Sequence, residues 1–164
     1  MSGVAHRTRQ FAGALHPHVS DADRDDAYRY LTQPQRTVFE SMMLRDQQHG
    51  IDVYRRVRAA SPTEDPALFT AALLHDCGKG AVALWQRVAY VVLGATAPPL
   101  RTRLAAEHGA TWRQALWRLI HHPELGATMV AHTNADPDTI RMIREQDAAS
   151  PDERLALLQA ADDG

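Results

Sequence analysis

The sequence has one cysteine, Cys77, and one lysine, Lys79; every other basic residue is an arginine. A lone cysteine excludes an intramolecular disulfide and any CxxC metal or redox motif. The formal net charge is only -2, and no basic block is interleaved with aromatic residues, so nonspecific nucleic-acid binding is not expected. Long apolar runs are also missing. The longest, around Val88 to Ala97, is broken by Gly94 and followed by Pro98-Pro99, so it cannot span a bilayer. Met1 to Asp26 is polar and interrupted by charges, unlike a secretory leader. These absences lead to the expectation of a cytoplasmic protein with no membrane partner.

What is present is helix signal. A length of 164 residues and a 45% hydrophobic content suit a single globular domain. Strand alternation is almost absent, and the expected fold is all-α, a bundle of about seven or eight helices. Residues 1–30 read as a polar lead-in, loose or partly helical, and residues 31–164 as the helical domain. A helix is expected from Pro34, a favoured first-turn residue. Asp46 is expected to cap the next helix, on which His49, Val53 and Val57 share a stripe. Asp65-Pro66 should start a nearly all-apolar helix through Leu74, ended by Gly78 and Gly80. A further apolar helix covers Val82 to Leu93, followed by a Pro98-Pro99 loop. The Trp112–Ile120 helix is expected to stop before His122-Pro123, because the residue before a proline disfavours helix. Asp136-Pro137 opens a helix, and Ser150-Pro151-Asp152-Glu153 has the form of a capping box leading into Leu155 to Ala161. Trp85, Tyr90, Trp112 and Trp117 fall at helical spacing and are read as core.

The chemistry concentrates in Leu73-Leu74-His75-Asp76-Cys77-Gly78-Lys79. Two metal-capable side chains sit where an apolar helix runs out. Helical neighbours diverge by about 100°, yet a cation lying between them is within reach of both. A buried carboxylate is costly without a cationic partner. By itself a His-Asp pair at a helix end reads first as a solvated terminus, and only its LLHDCGK context favours a site.

The stretch LLHDCGK resembles the motif of the HD-domain superfamily of metal-dependent phosphohydrolases, whose members often read LLHDIGK. The resemblance runs from about Thr37 to Asp162. It implies a metal site built from an upstream histidine, here His49, the pair His75 and Asp76, and a distal aspartate, here Asp162 with Asp163 as its rival. His121-His122-Pro123-Glu124-Leu125-Gly126-Ala127 is similar to the HPExGA segment of the HDIG and HD-GYP subgroups, whose histidine helps to hold a second metal. Those subgroups continue with an adjacent His-His pair, where this chain has Gln146-Asp147. The second-metal motif is therefore degenerate, with His122 and Asp147 left as second-metal or substrate candidates. No GYP sequence is present, which disfavours cyclic-di-GMP hydrolysis.

The resemblance implies hydrolysis of a phosphate ester, of a nucleotide or related small phosphorylated molecule. Asp76 and Lys79 would be catalytic, Lys79 through a substrate phosphate oxygen. A mixed nitrogen and oxygen shell suits manganese, iron, cobalt, nickel or zinc. Two alternatives are carried: a catalytically degenerate regulatory protein binding metal or nucleotide, and an oxidative dinuclear iron enzyme. His6, His16, His18, His108 and His132 have no comparable context.

Overall fold

The apolar run after Asp65-Pro66 becomes the axis of the molecule. In the computed structural model, which describes residues 17–164, this run is a helix with every residue from Leu68 to Leu74 buried. Asp65 caps it by accepting a hydrogen bond from the Leu68 amide at 3.0 Å, and Pro66 occupies the first turn, where its missing N–H costs nothing. Burying Leu68, Phe69, Leu73 and Leu74 contributes about 1.5–3 kcal/mol per side chain.

Around this axis the described residues form nine α-helices and one short 3-10 turn, with no strand, so the fold is all-α. They are α1 (Asp21–Tyr28), α2 (Gln33–Ser41), α3 (Leu44–Ala60), α4 (Pro66–Leu74), the 3-10 turn (Cys77–Lys79), α5 (Leu84–Thr96), α6 (Pro98–Leu104), α7 (Thr111–Ala131), α8 (Pro137–Arg144) and α9 (Glu153–Asp163). Helices α2, α3, α8 and α9 pack around α4, and α7 packs on the 3-10 turn. The expected lead-in lies partly outside the described residues, at 1–16. Its described remainder includes α1, opened by a capping box at Ser20, and Ala27 of that helix sits in the main core with Leu31.

Several local expectations need correction. Asp46 is not a cap: the helix starts at Leu44, and Asp46 lies buried in its first turn, held by Arg87 at 2.7 Å. Pro98 opens a helix rather than a loop, since proline is well tolerated in a first turn. Asp152, not Ser150, caps α9, accepting from the amides of Arg154 and Leu155. The largest correction is at Pro123, which lies inside α7 instead of ending it. A proline there deprives the Leu119 carbonyl of its amide donor. The neighbouring His122 supplies the replacement: its Nδ1 donates to Leu119 O at 2.9 Å.

Aromatic placement also departs from expectation. Trp85 is 59% exposed and Trp112 is 37% exposed, so neither belongs to the core. Tyr30, Tyr54 and Phe69 fill that role instead, with ring centroids 5.1–5.7 Å apart and Phe69 edge-on to both tyrosines.

Candidate metal centre

Two glycines bring the site's helices together. A Cβ on Gly50 would lie 2.7 Å from the Leu73 carbonyl, so glycine lets α3 approach α4 more closely than any other residue allows. His49 is the adjacent residue, and its ring reaches that of His75 with centroids 5.2 Å apart. A Cβ on Gly78 would collide with the backbone of α7 at His122 and Gly126. That contact sets His122 against Asp76.

Helix α4 ends at Leu74, with His75 as its C-cap, and the 3-10 turn follows. Neither Gly78 nor Gly80 ends it; the break comes earlier, at the pair itself. Asp76 joins the two elements with φ -95° and ψ 1°, between helix and extended backbone, a region in which many active-site residues sit. The break turns both side chains inward, where His75 and Asp76 are 1% and 2% exposed.

Asp76 is the hub. Its Oδ1 lies 3.4 Å from His75 Nε2 and 3.7 Å from His122 Nε2. Its Oδ2 lies 3.9 Å from His49 Nε2 and 2.5 Å from Lys79 Nζ. The Asp162 Oδ1, half-exposed at the end of α9, lies 2.7 Å from His49 Nε2 and 3.3 Å from His75 Nε2. Arg56 of α3 donates to the Ala161 carbonyl at 2.8 Å and so holds that last turn in place. Asp163 is exposed and forms no ion pair among the described residues.

The residues His49, His75 and Asp76 form a group that could hold a metal ion: one donor atom from each lies within 4.8 Å of the others. His75 carries the test of fit. Its Nδ1 donates to the Ala72 carbonyl at 2.9 Å, so the lone pair is on Nε2. That Nε2 is buried and has no hydrogen-bond partner. A buried nitrogen lone pair aimed at two carboxylates is costly unless a cation or proton meets it, and a transition metal fits this donor set. His122 repeats the device, with Nδ1 on its own helix and Nε2 toward Asp76.

Electrostatics agree with the geometry. Burial works to raise the Asp76 carboxyl, but the surrounding His75, Lys79, His49 and His122 outweigh it and hold the group well below the usual carboxylate range. Asp162 is likewise held low, because its hydrogen bond with His49 and the imidazole of His75 beside it overcome its burial. Burial also pulls the His75 imidazole down, and the Asp76 and Asp162 charges more than restore it. His122 is lowered, chiefly by burial. Burial pushes the Cys77 thiol up to about 12, with the Asp76 charge adding, so it stays protonated and is no nucleophile.

Asp147, the remaining candidate, lies at the edge of the cluster, where its charge acts on His122. Asp147 is exposed. Gln146, at the position where the resemblance expects a histidine, is buried and donates through Nε2 to the His75 carbonyl at 3.0 Å. It braces a ligand instead of being one. Sequence reading missed this role, and that of Arg56. Gln146 continues the inward stripe of Met142 and Ile143, which marks it as buried but gives no partner. Arg45, four residues before His49 on α3, donates to the Val82 carbonyl.

Comparison of the chain with family models, curated proteins and solved structures finds no match in any of the three. Among the described residues, no single helix is long and apolar enough to cross a membrane.

Proposed function

We propose that this protein is a metal-dependent phosphohydrolase of the HD type, acting on a phosphate ester of a nucleotide or related small molecule. The observation that carries the reading is the convergence of His49, His75 and Asp76 around a buried, partnerless imidazole nitrogen, with an ammonium 2.5 Å from the same carboxylate. His49, His75, Asp76 and Asp162 would hold one divalent transition metal. When bound, such an ion withdraws charge from a phosphoryl oxygen and makes water easier to ionise.

The chain's own groups account for the rest of the site. Asp76, ionised at neutral pH, is an acceptor able to orient the attacking water. Lys79 keeps a fifth of its side chain open to solvent, and its ammonium suits a single phosphate oxygen. His122 brings a third imidazole nitrogen to Asp76 from the opposite helix, in position to face substrate or a weaker second ion. With Gln146 committed to the His75 backbone and Asp147 in solvent, one tightly held metal is the expected stoichiometry.

Elemental analysis of chelator-free protein beside Asp76→Ala, followed by a phosphate-ester screen with the metal found, tests the proposal. The expected result is about one transition metal per wild-type chain, almost none in the variant, and ester turnover by wild type alone. A fully active Asp76→Ala protein would sink the assignment. A second reading, a silent metal- or nucleotide-binding module, is favoured by the loss of the second-metal pair. Saturable nucleotide binding with retained metal and no product would select it.

A further inference from the structure

Helix α5 is built the wrong way round for a bundle helix. At 100° per residue, Trp85, Val88, Val91, Val92 and Ala95 fall within one arc of about 120°, and that arc faces out. Trp85 is 59% exposed, Val91 60% and Val92 52%. The opposite face, with Gln86 buried and Tyr90 packed on Val82, Ala115 and Leu119, meets α7. Helix α6 folds back on α5, with the Arg101 guanidinium 4.5 Å above the Tyr90 ring, and adds exposed Leu100 and Arg103. Trp112 follows at the start of α7.

The charge of this region differs in kind from the rest. Between Ala81 and Arg118 the sequence has five arginines and a single acidic residue, Glu107, in a chain whose net charge is -2. Elsewhere, arginines such as Arg55, Arg58, Arg141 and Arg154 are paired with carboxylates. Among the described residues, Arg101, Arg103, Arg113 and Arg118 form no ion pair with a carboxylate.

We infer that the α5–α6 arm docks the protein on an anionic lipid bilayer, lying in the interface without crossing it. A 13-residue helix is about 20 Å long, too short for a hydrocarbon core of about 30 Å, but an apolar stripe with tryptophans and unpaired arginines matches an interfacial helix. Charge selects this occupant over a second copy of the chain, which would set one cationic arm against another. The inference departs from the expectation of no membrane partner, which rested only on the lack of a spanning segment. It does not depend on the metal reading.

Flotation of the full chain with phosphatidylcholine vesicles containing about one-third phosphatidylglycerol tests it, beside vesicles of phosphatidylcholine alone. Wild type is expected to float with the anionic vesicles and to be released by high salt. Trp85→Ser and Val91→Ser should each weaken binding about tenfold, and Arg103→Gln about fivefold, all with unchanged circular dichroism melting. Absence of flotation at low salt would overturn the inference, as would equal flotation by all three variants. So would sedimentation showing a wild-type dimer that Trp85→Ser and Val91→Ser turn into monomers.

Discussion

Helices α4 and α5 are both apolar, and the fold treats them in opposite ways. In α4 every residue from Leu68 to Leu74 is buried, while α5 buries only Gln86 and turns Trp85, Val91 and Val92 to solvent. The difference lies in the neighbours. Four helices contact α4, and the glycine at position 50 lets one of them approach to backbone contact. Helix α5 meets α7 on one side and the short α6 on another, which leaves its third side bare. Apolar composition therefore states a helix's need for cover and says nothing about which surface provides it.

The largest expected effect that would sharpen this contrast is Gly78→Val. The added side chain enters the backbone of α7, and the variant should lose at least about 3 kcal/mol of stability in urea unfolding, or fail to fold. Leu73→Ala in α4 should cost about 2–5 kcal/mol, with a cavity beside Gly50. If a metal is present, stripping it should lower stability by about 2.7 kcal/mol relative to a hundredfold excess over its dissociation constant. Hydrogen exchange should then quicken at α4 and the 3-10 turn and stay unchanged in α5. Val91→Ser on the bare face should lie within about 0.5 kcal/mol of wild type; a cost like that of Leu73→Ala would show that α5 is covered and break the comparison.

Another modest effect concerns acid. Asp152 is held below its ordinary pKa, first by its hydrogen bond to Arg141. A folded-state value lower than the unfolded one contributes stability above the unfolded pKa, and that contribution fades as pH falls through the folded value. Asp152→Asn keeps the helix cap but should flatten the acid limb of the stability curve by less than about 1 kcal/mol. An unchanged limb would place the acid sensitivity in the buried cluster instead.

Much of the scaffold was legible because its signals are local. Asp65-Pro66 and Asp136-Pro137 announce helix starts by a capping side chain and a first-turn proline, and both helices begin there. The grouping of His49 with His75 and Asp76 was legible only through the resemblance, since no spacing rule links residues on separate helices. Illegible were the features decided by distant partners. The continuity of α7 through Pro123 depends on an imidazole, the role of Gln146 on the carbonyl it meets, and the exposure of Trp85 on the absence of a helix above it.

The imidazole beside Pro123 has a consequence for how this region can change. His122 serves two masters with one ring, giving a proton to an orphaned carbonyl and a lone pair to the space around Asp76. Replacing it alone leaves α7 with an unanswered carbonyl as well as a vacated site. Replacing Pro123 alone restores a backbone donor and frees the ring to rotate away. The two positions are thus epistatic: a chain that has lost the need for the histidine can shed it cheaply only after, or together with, the proline.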